Sequence, residues 1–431
     1  MRSFSRIYKQ CLLAIIFAIL FIPFIQNKFK IFEILPLHGD ISIAEDAYLN
    51  NTGWFSGVYQ EKQETHLNSA FGFRELVVRL HNQLKFSVFN LPTAKGVVIG
   101  KENYFYEENY IKAYTGVDFI GEDSIDKIVS RINFISDTLS KLNKQLIIVF
   151  AAGKASYYPE YIPNNYLPVK GKTNYKILST GIKNTSVNYI DFNEWFVAQK
   201  AISKYPLYPQ YGIHWSNYGA VLAADSIIKK IEFLRKIDMP NLIYNEVELK
   251  PSFGIDYDIA DGMNLLVKLR SIDMAYPKIK TEPAENKIKP NVLVVSDSFY
   301  WGMYDFGIAN SFGNNHFWYY NKQVYPETFK NELFVEDLDI KTEIIKHEVF
   351  IVMATEANLS NIGWGFFEKM ERNFKGFINL KNTTNHINDL KKKILKDEKW
   401  MEDINKKAIK KNISVDSMLT LDAMWIIEHP N

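Results

Sequence analysis

Two apolar patterns alternate along the chain. Short uninterrupted apolar runs close on small or polar residues, and between them apolar residues recur every three or four positions. The runs Gln145 to Ala151, Val187 to Ile190, Asn291 to Val295 and Val349 to Ala354 predict buried strands. Gly96 to Tyr106 predicts a hairpin with its turn near Lys101 to Asn103. Leu76, Val77, Leu80, Leu84 and Val88 share helical spacing. Asp123 or Ser124 can cap a helix to about Lys144, with Ile125, Ile128, Val129, Ile132, Ile135, Leu139 and Leu142 on its apolar face. Ala220, Leu222, Ala223, Ile227, Ile228 and Ile231 predict a further helix from Tyr218 to Leu234. Strands alternating with helices predict an α/β fold with a doubly wound parallel sheet flanked by helices.

Both ends of the chain depart from this pattern. Cys11 to Ile25 is apolar and follows Arg2, Arg6 and Lys9, the order of an export signal whose start stays in the cytoplasm. No small-residue cleavage site follows, so residues 1–28 read as an uncleaved signal anchor. A cleaved signal peptide and a buried helix are the alternatives. Residues 29–70 form a poorly periodic lead, and 71–385 carry the α/β domain. Within that domain 237–290 has a weaker period and five prolines, read as a cap on the active face or a flank along one edge. Residues 386–431 form a Lys-rich helical tail.

Composition narrows the function classes. A net charge of +2 gives no electrostatic case for nucleic acid. The single cysteine, Cys11, excludes an internal disulfide and a zinc–thiolate site. His38, His66, His81, His316, His347, His386 and His429 show no ligand-like spacing, so neither a metal nor a cofactor is expected. Aromatic residues make up 15% of the chain, which fits both an aromatic core and a groove that stacks on sugars.

The candidate chemistry lies where apolar runs end. In an open α/β sheet, ligands bind beyond the carboxyl ends of the strands. Lys154 to Ser156, Asp191, Ser296 to Ser298, and Thr355-Glu356 all follow such ends. Ser298 would stand where a strand turns into a helix, with its own N–H part of an oxyanion hole. His214, on a loop leading into a helix, would take the Ser298 proton and return it. Asp297 fits either a catalytic role or a bond to local backbone N–H groups. Lys154, Trp215, Tyr300, Trp301 and Glu356 are the candidate substrate-binding residues.

At these residues the chain resembles a known family. Val292-Leu293-Val294-Val295-Ser296-Asp297-Ser298-Phe299 resembles the nucleophile block of SGNH hydrolases. His214-Trp215-Ser216-Asn217-Tyr218-Gly219-Ala220 resembles the histidine block of their alginate O-acetyltransferase branch, in which that block precedes the serine. Phe71 to Leu76 with Val97 to Lys101, and Lys154 to Pro163, resemble two further blocks of that branch. The resemblance covers roughly residues 65 to 360 and implies an SGNH-like fold. It also implies an extracytoplasmic O-acyltransferase, held at the inner membrane with its main domain in the periplasm. An acyl group, acetyl above all, would pass to Ser298 and then to a polysaccharide hydroxyl. The donor would arrive through a membrane acyltransferase partner, and the N-terminal helix would hold the chain beside it.

The chain departs from that branch at two positions. The branch's acid two residues before the histidine is Gly212 here, and the first residue of the nucleophile block is Ser296 rather than glycine. A Ser–His dyad, an acid relocated to Asp191 or Glu356, and a non-catalytic polysaccharide-binding scaffold remain open. So does a carbohydrate esterase, which uses the same residues with water as acceptor.

Overall fold

Strand-forming runs spread between residues 145 and 355 assemble into the sheet that positions the candidate chemistry. The structure is a computed structural model and describes residues 2–39, 44–167, 170–378 and 383–429. In chain order its strands are β1 (Val97–Ile99), β2 (Phe105–Glu107), β3 (Gln145–Ala151), β4 (Asn188–Asp191) and β5 (Leu242–Pro251). They continue with β6 (Asp273–Thr281), β7 (Val292–Ser296), β8 (Asn315–Tyr319), β9 (Gln323–Tyr325) and β10 (Val349–Thr355). The described residues divide into two compact units, Met1–Ile99 with Tyr257–Ser271, and Gly100–Asp256 with Ile272–Asn431.

The second unit holds a six-stranded sheet in the order β4-β3-β10-β7-β8-β9. All neighbours run parallel except β8 and β9. Every residue of β7 and β10 is buried, as expected for central strands covered on both faces. Because strand side chains alternate, Leu146, Ile148, Phe150, Leu293, Val295, Phe350 and Val352 share one face. Ile125, Ile132, Ile135 and Leu139 of helix Glu122–Lys141 belong to that core, with Leu178 and Ile182 of Asn174–Lys183 and Phe366, Met370 and Phe374 of Phe366–Ile378. The alternate set Ile147, Val149, Val294, Ile351 and Met353 is equally buried on the opposite face. The parallel order brings the carboxyl ends of β3, β4, β7 and β10 to one rim of the sheet.

Two regions differ from the sequence reading. Residues 237–290 contain the antiparallel ribbon of β5 and β6, which packs beside helix Asn217–Arg235. Polar residues and prolines inside both strands, among them Pro251 and Pro277, obscured the ribbon. β8 and β9 were also missed, because Phe317-Trp318-Tyr319 reads as an aromatic cluster rather than as a β-branched strand. At the end of the chain, helices Thr383–Leu395, Glu398–Lys411 and Val415–Glu428 share a small core of Ile387, Ile394, Ile404, Met418 and Leu419.

The first unit contains helix Arg2–Phe29, within which Ile7–Phe29 is long and apolar enough to cross a membrane. Helices Asn51–Ser56 and Val58–Ser69 lie in the lead segment, where polar faces left no period to read. The predicted stripe from Leu76 to Val88 forms helix Arg74–Phe89. Asn82 and Thr93 donate to the Met263 carbonyl at 2.9 and 2.7 Å, tying residues 257–271 to this unit.

Candidate active site

β7 delivers Ser298 to the rim. The strand ends at Ser296, the chain turns at Asp297, and Ser298 stands just before helix Phe299–Asp305 without capping it through its side chain. Asp297 holds this turn. It is 1% exposed and one oxygen accepts from the Phe299 N–H at 3.1 Å. The other accepts from Thr355 N–H, Thr355 Oγ1 and Asn358 Nδ2, each at 2.9 Å. The carboxylate therefore pins the end of β7 to the end of β10. Among the described residues the Ser298 amide has no hydrogen-bond acceptor, which leaves it available to an incoming oxyanion.

His214 meets this serine, with its Nε2 2.9 Å from Ser298 Oγ. Its loop joins helix Phe192–Gln199 to helix Asn217–Arg235 and is fixed from several sides. Lys154 is fully buried after β3 and donates to the Gln210 and Gly212 carbonyls at 2.8 and 2.7 Å. Ser216 caps the following helix by accepting from Gly219 N–H at 3.0 Å and donates to the Pro206 carbonyl at 2.8 Å. Buried Asp256 accepts from the Asn217 backbone N–H at 3.1 Å and from its side-chain amide at 3.0 Å.

The glycines of this loop are dictated by close packing. A Cβ at Gly212 would lie 2.3 Å from the Ile255 carbonyl oxygen, inside any real contact distance. A Cβ at Gly219 would lie 2.9 Å from the Leu207 carbonyl oxygen. Backbone of the 255–256 segment thus occupies the space into which an aspartate at 212 would extend.

The remaining sequence candidates divide between core and rim. Trp215 is fully buried, edge-on to Phe192 and Phe299, and belongs to the core rather than to an open groove. Tyr300 is also fully buried and donates to Asn315 Oδ1 at 2.9 Å. Trp301 is partly exposed and packs on Phe317, Tyr319 and Tyr325. Glu356, 4% exposed, accepts from Ser156 Oγ at 2.8 and 2.6 Å and from Asn193 Nδ2 at 2.5 Å. Burial pushes its carboxyl above the usual range, against those hydrogen bonds. It borders a cleft of about 980 Å³ that includes Lys170, Lys176 and Lys183. Asp191 caps helix Phe192–Gln199, accepts from Tyr175 and pairs with Lys183 at 3.2 Å. Asp191 and Glu356 therefore have structural partners of their own.

One residue of the site was overlooked. The Tyr320 hydroxyl is drawn down by the neighbouring Ser298 side chain, but burial, the larger effect, pushes it up to about 12, so it stays neutral. It follows β8 directly, in the left-handed region at φ 50°, and its N–H donates to the Ser296 carbonyl at 2.9 Å. In sequence it was one more member of an aromatic cluster, and nothing pointed it at the serine.

Residues 97–257 match the family described as SGNH hydrolase-like domain, acetyltransferase AlgX. The resemblance read from the sequence holds over this segment, which carries Lys154 and the His214 block. No curated protein matches the chain. Among solved structures, the O-acetyltransferase domain of Pseudomonas putida AlgJ is 18% identical, over 62% of this chain and 92% of that one, with a TM-score of 0.42. Bacillus cereus PatB1 is 15% identical, over 59% and 95%, with a TM-score of 0.37. Pseudomonas aeruginosa AlgX is 14% identical, over 63% and 66%, with a TM-score of 0.40.

Proposed function

We propose that this chain is an O-acyltransferase that passes an acyl group, acetyl above all, through Ser298 to a hydroxyl of a polysaccharide outside the cytoplasm. The observation that carries this reading is the 2.9 Å contact between His214 Nε2 and Ser298 Oγ at the carboxyl rim of the parallel sheet. In the first half-reaction His214 takes the Ser298 proton as Oγ attacks the donor carbonyl. The tetrahedral oxyanion faces the Ser298 N–H. It collapses to the acyl-serine, and His214 returns the proton to the leaving group. In the second half-reaction a sugar hydroxyl gives its proton to His214 and attacks the acyl-serine. Collapse releases the ester and restores Ser298 with the proton from His214. Helix Ile7–Phe29 supports an anchored chain, which would place this chemistry beside a membrane partner that supplies the donor.

The experiment is acylation by para-nitrophenyl acetate, followed by intact-protein and peptide mass spectrometry. The expected result is one acetyl group on Ser298, absent from Ser298→Ala and greatly reduced in His214→Ala. Adding a polysaccharide hydroxyl acceptor should then move the group from serine to sugar. Equal background labelling in all three proteins would overturn the reading. Release to water alone, with every acceptor tried, would reassign the site to an esterase.

A further inference from the structure

At the opposite end of the sheet from Ser298, a strand histidine meets a glutamate and a histidine one helical turn apart. His316 lies on β8, paired in register with Leu293 near the start of β7. Glu343 lies in helix Ile340–Lys346, and His347 follows it at the helix end. One ligand-capable atom from each residue lies within 4.8 Å of the other two. All three are buried, with His347 at 0% exposure, Glu343 at 3% and His316 at 7%. The sequence showed no such grouping, because a strand and a helix separate the two histidines along the chain.

The bonding around the cluster orients its nitrogens. His347 Nδ1 donates to the Glu343 carbonyl at 2.8 Å, so its lone pair is on Nε2. Nε2 is buried and has no hydrogen-bond partner. His316 Nε2 lies 3.0 Å from Glu327 Oε1, while its Nδ1 lies 2.9 Å from Glu343 Oε2. A carboxylate on the far nitrogen is the arrangement that fixes a metal-binding imidazole and raises its basicity. The ligand-capable atoms lie within 4.8 Å of one another, whereas a tetrahedral ion with bonds of about 2.0–2.1 Å spaces its ligands about 3.3 Å apart, so binding draws the three side chains together and turns His347 to present Nε2.

We propose that His316, Glu343 and His347 form a binding site for a divalent transition metal, zinc above all, with Glu327 holding His316 from behind. The two-imidazole, one-carboxylate donor set suits zinc and is too nitrogen-rich for calcium or magnesium. The ion would tie β8 to helix Ile340–Lys346 at the end of the sheet remote from the serine. The site is structural, and its existence does not depend on the acyl-transfer reading.

The test uses the untagged full chain in detergent, stripped with a chelator and then titrated with zinc chloride. One tightly held zinc per chain and a raised thermal midpoint are expected. Ser298→Ala should bind identically, whereas Glu343→Gln and His347→Phe should each weaken binding at least tenfold. His347→Phe keeps an aromatic ring of similar size in the buried position, and its own thermal midpoint reports whether it is folded. Copper(II) loaded into the unsubstituted chain should show two imidazole nitrogens by pulsed electron paramagnetic resonance, a readout that needs no variant. Zinc uptake no greater than that of folded His347→Phe, or a copper spectrum without imidazole coupling, would overturn the proposal.

Discussion

His214 Nε2 and Ser298 Oγ stand 2.9 Å apart although 84 residues separate them in the chain. The geometry is that of a base already hydrogen-bonded to its nucleophile, so neither side chain must move before proton transfer. Because the two act as one unit, their removal should not be additive. Ser298→Ala and His214→Ala should each lower ester turnover by on the order of a thousandfold, and the double variant should be no worse than either. Steady-state kinetics on an activated ester checks this. Additive losses would mean that the two residues work independently.

Gly212 separates a degraded site from a rebuilt one. If the chain had only lost its acid, Gly212→Asp should restore function. The space is instead filled by the Ile255 carbonyl, 2.3 Å from where a Cβ would stand. Gly212→Ala and Gly212→Asp should therefore both destabilise the protein, by about 1–3 kcal/mol, through forced displacement of backbone. Chemical denaturation measures the loss, and turnover should fall in both variants. A gain of activity in Gly212→Asp would show that the site still accepts the acid.

These two residues also mark how far the sequence could be read. Strands β3, β7 and β10 were legible because buried parallel strands are continuous apolar runs, and β7 and β10 are buried at every position. His214 and Ser298 were legible because each sits at a strand end or helix start, where local chemistry has a sequence signature. The strands β5, β6, β8 and β9 were hidden by prolines, polar residues and aromatics, whose burial depends on tertiary partners. Tyr320 and the meeting of His316 with the Glu343–His347 pair were hidden for a related reason: these contacts join elements that no local spacing connects. Lys154 was found, but its side chain turned inward.

Lys154 was expected at the substrate, yet its ammonium donates to two carbonyls of the His214 loop. Lys154→Met keeps the length and removes the donor, leaving buried carbonyls unsatisfied at a cost of about 1–3 kcal/mol. A positioning role predicts a fall in kcat with little change in KM. A substrate-binding role predicts the reverse, a raised KM with kcat nearly kept. Kinetics over a range of acceptor concentrations decides between them.

Glu356 offers a pH signature. Burial raises its carboxyl pKa, and the hydrogen bonds from Ser156 and Asn193 only partly oppose this. A raised folded-state pKa means that the folded protein holds the proton to higher pH than the unfolded chain does. The associated stability is complete below the unfolded carboxyl's value and is lost as pH rises through the folded one. Glu356→Gln mimics the protonated group and still accepts from Ser156 or Asn193 through its amide oxygen. The variant should match the parent in acid and surpass it at neutral pH, with a higher thermal midpoint there. Thermal unfolding from mildly acidic to neutral pH checks the crossover. Equal pH profiles for the two proteins would show that the carboxyl titrates alike in the folded and unfolded chains.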